Sequence, residues 1–348
     1  MPSISFVIPT FNFAAFLPET LDSIISEGHG PIEVIVFDGG SSDNTLEVLE
    51  GYRRKFPALR VFVASERGNI DIDLNQAVTA ATGDYIWTVS ADDVLIPGWS
   101  KAILSLLREH MPDLMLVPAI HCDIRMRPRR DYPILRQTGG GPLISLVKDD
   151  DDLLEYLAQV RTSEGLFSFC TACLVRREKL EQVPLLVNAN GTCWRYAARL
   201  INVLARYPSK IMVLDVPWIY KRGDNDSFAS AGLIHRLKIA TLNWDLALGS
   251  LCLTPSARRA MLTLVKSDIR TLTLLYMSQF VSCQEERLIY RACVETRMRG
   301  NDGKLFFWAT ILRSVPQFVL LRKALNLAKL GIRLVQQRFW AAKLSRRF

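Results

Sequence analysis

Where apolar runs of this chain break off, carboxylates follow: Asp38 after 32–37, Asp92 and Asp93 after 85–89, and Asp71 with Asp73 just beyond Gly68-Asn69. An aspartate at the mouth of a buried strand can accept hydrogen bonds from a base or ribose. Two adjacent ones can hold a divalent ion through hard oxygen ligands, and they repel each other unless a cation compensates, so metal binding is the stronger reading of Asp92 and Asp93. Asp38 has a plainer alternative as a turn aspartate capping the helix behind Gly39-Gly40-Ser41. Arg67 suits either a diphosphate or an ordinary surface position, and Asp73 is favoured as a helix cap. His121 and His235 lack metal-ligand spacing. Cys170-Thr-Ala-Cys173 sits in an apolar run, which favours buried thiols over redox or zinc chemistry.

The elements that must position these groups alternate. Residues 4–8 read as a strand closed by Pro9-Thr10-Phe11-Asn12, and Pro18 opens a helix with Leu21, Ile24 and Ile25 at helical spacing. A second strand over 32–37 leads through Asp38 to Asp43 into a helix begun by Leu46, Val48 and Leu49. A third strand over 59–64, a helix over about 73–81 and a buried strand over 83–89 follow. Such alternation predicts an α/β fold, a mostly parallel sheet with helices on both faces. Ligands of such sheets collect at the carboxyl ends of the strands, where Asp38, Arg67 and Asp92 all fall. Beyond that, 114–119 reads as a strand, 125–142 as a loop rich in Arg, Pro and Gly, and 149–158 as an acid-started helix. From about 231 the pattern is continuously helical.

The chain has 348 residues, 49% of them hydrophobic, enough for a sizeable core. Its charge is basic, 43 Lys and Arg against 35 Asp and Glu, and the excess belongs to the tail, where no acid follows Asp302. Seven cysteines, an odd number, fit thiols in a reducing compartment. No secretory signal pattern and no uninterrupted apolar run of spanning length is present, so a soluble or peripheral protein is expected.

Ile8-Pro9-Thr10-Phe11-Asn12, Asp38-Gly39-Gly40-Ser41-Ser42-Asp43-Asn44-Thr45, Asn75-Gln76-Ala77-Val78, Ala81-Thr82-Gly83-Asp84-Tyr85-Ile86 and Ala91-Asp92-Asp93 resemble, in order and spacing, the blocks of the family-2 glycosyltransferases. The resemblance implies a GT-A fold with a nucleoside-diphosphate sugar as donor. Pro9, Thr10 and Asn12 would line the nucleotide pocket, Asp38 would meet the nucleoside, and Asp92 would meet Mg²⁺ or Mn²⁺. Arg67 and Asp71 join them as nucleotide-side candidates, and Asp93 joins Asp92 on the metal. A narrower similarity, through residues 68–73, 163–169, Gly191-Thr192-Cys193-Trp194 and 222–228, is to the abequosyltransferase-like branch that builds bacterial O-antigen side chains. Two departures stand out. Ser90 occupies the place of the first carboxylate of the usual DxD, and no acid occurs between Glu181 and Asp215, where the family's catalytic pair is expected. Glu164 is the leading substitute for the catalytic base, and Asp224 the second.

These readings give a GT-A domain over 1–230, with a nucleotide-binding half over 1–110 and an acceptor-binding half over 111–230, then a helical extension over 231–348. In the tail Leu325, Ala328, Ile332, Val335, Phe339 and Ala342 recur at steps of four and three beside Arg322, Lys329, Arg333, Lys343 and Arg347, an amphipathic basic helix suited to an anionic membrane surface or to docking on the domain. The expectation is an inverting transfer to a glycan or lipid-linked glycan acceptor, in the cytoplasm at the inner face of the plasma membrane. Nucleic acid is not an expected partner, since no binding module accompanies the charge. A sugar-phosphate nucleotidyltransferase is the rival enzyme, but 9–12 has no glycine where that class needs a Gly-rich loop. A catalytically silent scaffold is the rival outside enzymes.

Overall fold

Every residue of β1 (Ile4–Thr10) is buried, as a run this apolar requires, and it takes the middle of a sheet. The computed structural model describes residues 1–27, 30–225, 231–269, 271–278 and 280–298. After β1 come α1 (Leu17–Ile25), β2 (Ile32–Asp38), α2 (Thr45–Lys55), β3 (Leu59–Val63), α3 (Ile70–Thr79) and β4 (Tyr85–Thr88). β1 pairs in parallel with β2 and β4, and β2 with β3. Pro in the first turn of α1 has no N–H to leave unpaired there, and Leu17, Leu21 and Ile24 of that helix are fully buried. Phe6 stacks on Trp87 at 5.3 Å, with Trp99 edge-on to Phe6 at 5.2 Å, so aromatic rings fill the core under the central strands.

α3 starts three residues ahead of the expected position. The side chain of Asn69 accepts from Ile72 N at 3.1 Å and caps the helix, so Asp73 lies inside the first turn instead of at its mouth.

β5 (Val94–Leu95), α4 (Trp99–His110), β6 (Leu114–Leu116) and β7 (Ala119–Cys122) follow. The single strand expected over 114–119 is cut in two at Pro118, which has no N–H to donate to a ladder. The two pieces belong to different sheets. β8 (Pro128–Tyr132) forms within the expected loop, and β9 (Leu143–Val147) precedes α5 (Asp150–Gln159). Asp149 caps α5 by accepting from Asp152 N at 3.0 Å. β10 (Cys173–Arg176), α6 (Arg177–Glu181), α7 (Arg195–Arg206), β11 (Ser209–Val213) and β12 (Ile219–Lys221) complete the two sheets.

The larger sheet runs β3-β2-β1-β4-β10-β6-β11-β9, wholly parallel in its first half and mixed in its second, and the smaller runs β5-β12-β7-β8. This is the GT-A arrangement of an α/β fold. The extension supplies α8 (Gly232–Ala240), α9 (Leu242–Gly249), α10 (Pro255–Ser267), α11 (Thr271–Ser278) and α12 (Gln284–Met298). Trp244, Ala247 and Leu248 of α9 and Met261 and Leu264 of α10 join the main core. Trp244 stacks on Trp194 at 4.5 Å. Ile234, Leu237, Ile269, Leu274, Tyr290 and Cys293 form a second cluster of the extension. The basic amphipathic stretch expected after 320 lies outside the described residues. Among the described residues no helix is long and apolar enough to cross a membrane.

Candidate functional site

The parallel register sets Thr10 beside Asp38 at the carboxyl ends of β1 and β2, with Pro9 one residue behind. Asn12, at φ +60°, accepts from Ser42 N at 2.8 Å and Asp43 N at 3.3 Å, stitching the loop after β1 to the loop after β2. Asp43 reinforces the seam by accepting from Ala14 N at 3.1 Å and Thr45 N at 3.0 Å. Burial works to raise the Asp43 carboxyl, but its Thr45 and Ala14 donors outweigh it and hold it below the usual range. Asp38 is fully buried. It accepts from Gly40 N at 2.9 Å and from Ser41 N and Oγ at 2.7 and 2.5 Å. In this geometry Asp38 organises its own turn.

Next to that turn, Arg67 lies 3.6 Å over the Phe11 ring and pairs with Asp73 Oδ2 at 3.2 Å. A Cβ on Gly39 would come within 2.5 Å of Arg67 Nη1 and 2.8 Å of Asp73 Oδ2, so only glycine lets guanidinium and carboxylate close over the turn. Asp73 is 4% exposed, yet its Oδ1 has no hydrogen-bond partner, and the same is true of the buried Thr10 Oγ1. Burial pushes the Asp73 carboxyl up, and the charge of Asp38 adds to that, against the pull of Arg67. Buried acceptors without donors are costly unless a ligand supplies them. The cap expected of Asp73 is supplied by Asn69, which leaves Asp73 with a buried oxygen that nothing in the protein satisfies.

Asp71 points elsewhere. It accepts from Cys193 N at 2.9 Å and Arg195 N at 3.2 Å, at the start of α7. Burial raises its carboxyl while those backbone donors pull it down. Asp71 and Asp73 point different ways, because two steps along a helix turn a side chain by about 200°.

Beyond β4, Asp92 Oδ1 accepts from Ser90 Oγ at 2.5 Å and Oδ2 from Asn225 Nδ2 at 3.0 Å. Asp93, 2% exposed, faces the protein, where Thr171 Oγ1 donates to it at 2.6 Å and Arg222 N at 3.0 Å. Burial, and then the charge of Asp92, pushes the Asp93 carboxyl up to about 7, and burial raises Asp92 as well. Among the described residues no group of three or more His, Cys, Asp or Glu side chains is placed to hold a metal ion. The hard oxygens of Asp92 fit a divalent cation that takes its remaining ligands from a phosphorylated substrate. Asp93 faces inward, with Thr171 and Arg222 as its donors.

Glu164 lies in a 3-10 turn, Ser163–Leu166, 6% exposed. It accepts from the Thr162 hydroxyl, and its nearby charge, after burial, helps to hold Tyr132 protonated. Asp268, from the end of α10, accepts from Ser163 N at 3.2 Å. Lys221 Nζ sits 3.9 Å over the Phe169 ring, and its charge lowers both Asp93 and Asp268. Asp224 pairs with Arg129 at 2.5 Å. Burial pushes the thiol of Cys170 up to about 11 and that of Cys173 well above its usual value, which leaves them as core thiols.

A cleft of about 540 Å³ between α1 and the small sheet is walled by Glu19, Glu27, Val94, Pro97, Met126 and Tyr220. Neither Asp38, Asp73 nor Asp92 lines it.

Sequence patterns did not single out Arg222, Asn225 or Asp268, and favoured Asp73 only as a helix cap. Arg222 and Asn225 lie in a segment whose similarity was visible, but only the fold carries them to Asp92. Asp268 lies in a segment with no motif, and nothing in its neighbours distinguishes it.

Residues 5–183 match the family described as Glycosyl transferase family 2. The abequosyltransferase RfbV of Salmonella typhimurium is 28% identical over 249 residues, 68% of this chain and 71% of that protein. A PGL/p-HBAD biosynthesis glycosyltransferase of Mycobacterium bovis is 33% identical over 128 residues, 36% of this chain and 48% of that protein. Among solved structures, residues 1–349 of S. aureus TarS, in complex with UDP-GlcNAc, superpose with a TM-score of 0.60 at 16% identity, over 90% of this chain and 88% of that one. That last likeness is one of fold. With its family blocks lying on the strand ends of a GT-A sheet, the chain belongs to glycosyl transferase family 2 and is a glycosyltransferase.

Proposed function

We propose that the chain moves a sugar, with inversion at the anomeric carbon, from a nucleoside diphosphate to a hydroxyl of a glycan carried on a polyprenyl diphosphate. The observation that carries the donor half is the unpartnered, buried Asp73 Oδ1 beside Arg67 and Asp38. A base or ribose would give it the N–H or O–H it lacks, and Arg67 would meet phosphate oxygens. Pro9, Thr10 and Asn12 would shape that pocket. Asp92 would hold Mg²⁺ or Mn²⁺. The ion, when bound, neutralises the departing diphosphate.

Ser90 and Asn225 keep the Asp92 carboxylate in one orientation, and Arg222 fixes its main chain. Glu164 stands as the buried acid of the acceptor wall, while Asp224 is committed to Arg129. Likeness to an abequosyltransferase supports a bacterial surface-polysaccharide acceptor. The basic stretch after 320 would hold the enzyme to an anionic membrane surface on the cytoplasmic side, next to such a lipid.

The test is thermal unfolding of the purified chain with UDP, GDP, CDP and dTDP, with and without Mn²⁺. One nucleotide at a hundredfold its Kd should stabilise by about 2.7 kcal/mol, a rise of several degrees. Asp92→Asn should lose the Mn²⁺-dependent part. No shift with any nucleotide would refute the reading.

A further inference from the structure

We propose that Asp268, contributed by the helical extension, is the carboxylate that takes the proton from the acceptor hydroxyl, with Glu164 and Tyr132 as positioning residues behind it. This rests on the glycosyl-transfer reading above and deepens it.

A general base must reach its substrate. Glu164 is 6% exposed and already accepts from Thr162, with Tyr132 nearby. Asp268 is exposed and is held at the same wall by the N–H of Ser163, the residue before Glu164. Ser163, which holds Asp268, also bonds Ser168 at 2.8 Å, and Lys221 of β12 lies 3.9 Å over the neighbouring Phe169 ring, while the next residue, Arg222, gives its N–H to Asp93 at 3.0 Å, so a short chain of contacts joins Asp268 to the Asp92 corner. The groups facing Asp268 are therefore Glu164 from the 3-10 turn, Tyr132 from β8 and Lys221 from β12.

In the step, the acceptor O–H gives its proton to an Asp268 oxygen and its oxygen forms the new bond to the anomeric carbon. The bond from that carbon to the diphosphate breaks, and its electron pair leaves with the nucleoside diphosphate. Partial desolvation of the carboxyl against the 3-10 turn outweighs the Ser163 donor and, with the nearby charge of Glu164, raises Asp268 to about 6 although the residue keeps an exposed surface. A base of that strength is ionised at neutral pH yet still binds a proton usefully.

Asp268→Asn, Asp268→Glu, Glu164→Gln and wild type are compared as full chains in two measurements. One is binding of UDP, GDP, CDP and dTDP in Mn²⁺. The other is nucleoside diphosphate release from the matching nucleotide sugar, in the presence of polyprenyl-diphosphate-linked glycan extracted from bacterial membranes. Asp268→Asn should bind nucleotide within about twofold of wild type and lose roughly 100-fold or more of acceptor-dependent release, and Asp268→Glu should recover part of it. Wild-type kcat/KM should rise about tenfold per pH unit up to about 6 and then level off. Glu164→Gln removes a like charge, so it should move that bend to lower pH and keep release within about tenfold of wild type. Release by Asp268→Asn within about threefold of wild type, with nucleotide binding intact, overturns this assignment alone. Abolished release in Glu164→Gln overturns it in favour of Glu164. A chain that binds none of the four nucleotides overturns the glycosyl-transfer reading and this assignment together.

Discussion

The guanidinium of Arg222 donates from Nε to the main-chain oxygen of Asp92 at 2.9 Å. The same side chain is 2% exposed and reaches Glu19 at 2.6 Å and the Ile124 carbonyl at 2.6 Å. One buried cation therefore ties α1, the β4 turn and the segment after β7 together.

Because Arg222 is buried and Glu19 is 57% exposed, removing the two should have unequal effects. Arg222→Ala should cost about 3–5 kcal/mol, since it strips partners from buried polar groups. Glu19→Ala should cost under about 1 kcal/mol, because water takes its place. Urea unfolding of both variants measures this. Equal losses would contradict the clamp.

Asp71 offers a pH-dependent test. Its folded carboxyl lies above the unfolded value, so between those two values the native state binds more protons, and its contribution to stability declines as pH rises through the folded value. Asp71→Asn should flatten that part of the stability-pH curve. Asp71→Ala should lose about 1–3 kcal/mol at every pH, by leaving the N–H groups of Cys193 and Arg195 without their acceptor. A slope unchanged by Asp71→Asn would contradict the assignment.

Asp73→Asn separates stability from binding. Losing a buried charge whose Oδ1 lacks a partner should leave the free protein as stable as wild type or more so. Affinity for a nucleoside diphosphate should fall about tenfold, equivalent to about 1.4 kcal/mol. A matched loss of both would point to a purely structural carboxylate.

Gly39→Ala should act on the same corner through packing. Its new methyl would displace Arg67 from the Phe11 ring or break its pair with Asp73, at about 1–3 kcal/mol. Nucleotide titration should show the loss chiefly in affinity. Unchanged affinity would mean that the Arg67 platform is not used.

The first half of the molecule could be read from residue patterns because its chemistry is local. β1, β2 and β4 are apolar runs, and each delivers its polar groups within a few residues of its end, as at Thr10, Asp38 and Asp92. Reading failed where one residue changes an outcome at a distance. Asn69 moved the start of α3 and so turned Asp71 and Asp73 to opposite sides. Pro118 divided an apolar stretch between two sheets. Arg222 reaches Asp92 and Asp93, and Asp268 reaches Ser163, through sheet returns and helix packing, which a linear pattern does not record. The family match itself ends at residue 183, before either of them.

Trp244 of α9 stacks on Trp194, and Asn243 Nδ2 donates to the Thr192 carbonyl at 3.0 Å. The extension thus braces the very turn that leads into α7. It is therefore not an interchangeable cassette: a chimera that takes this extension from a relative would inherit a working brace only if the loop around 190–195 travelled with it.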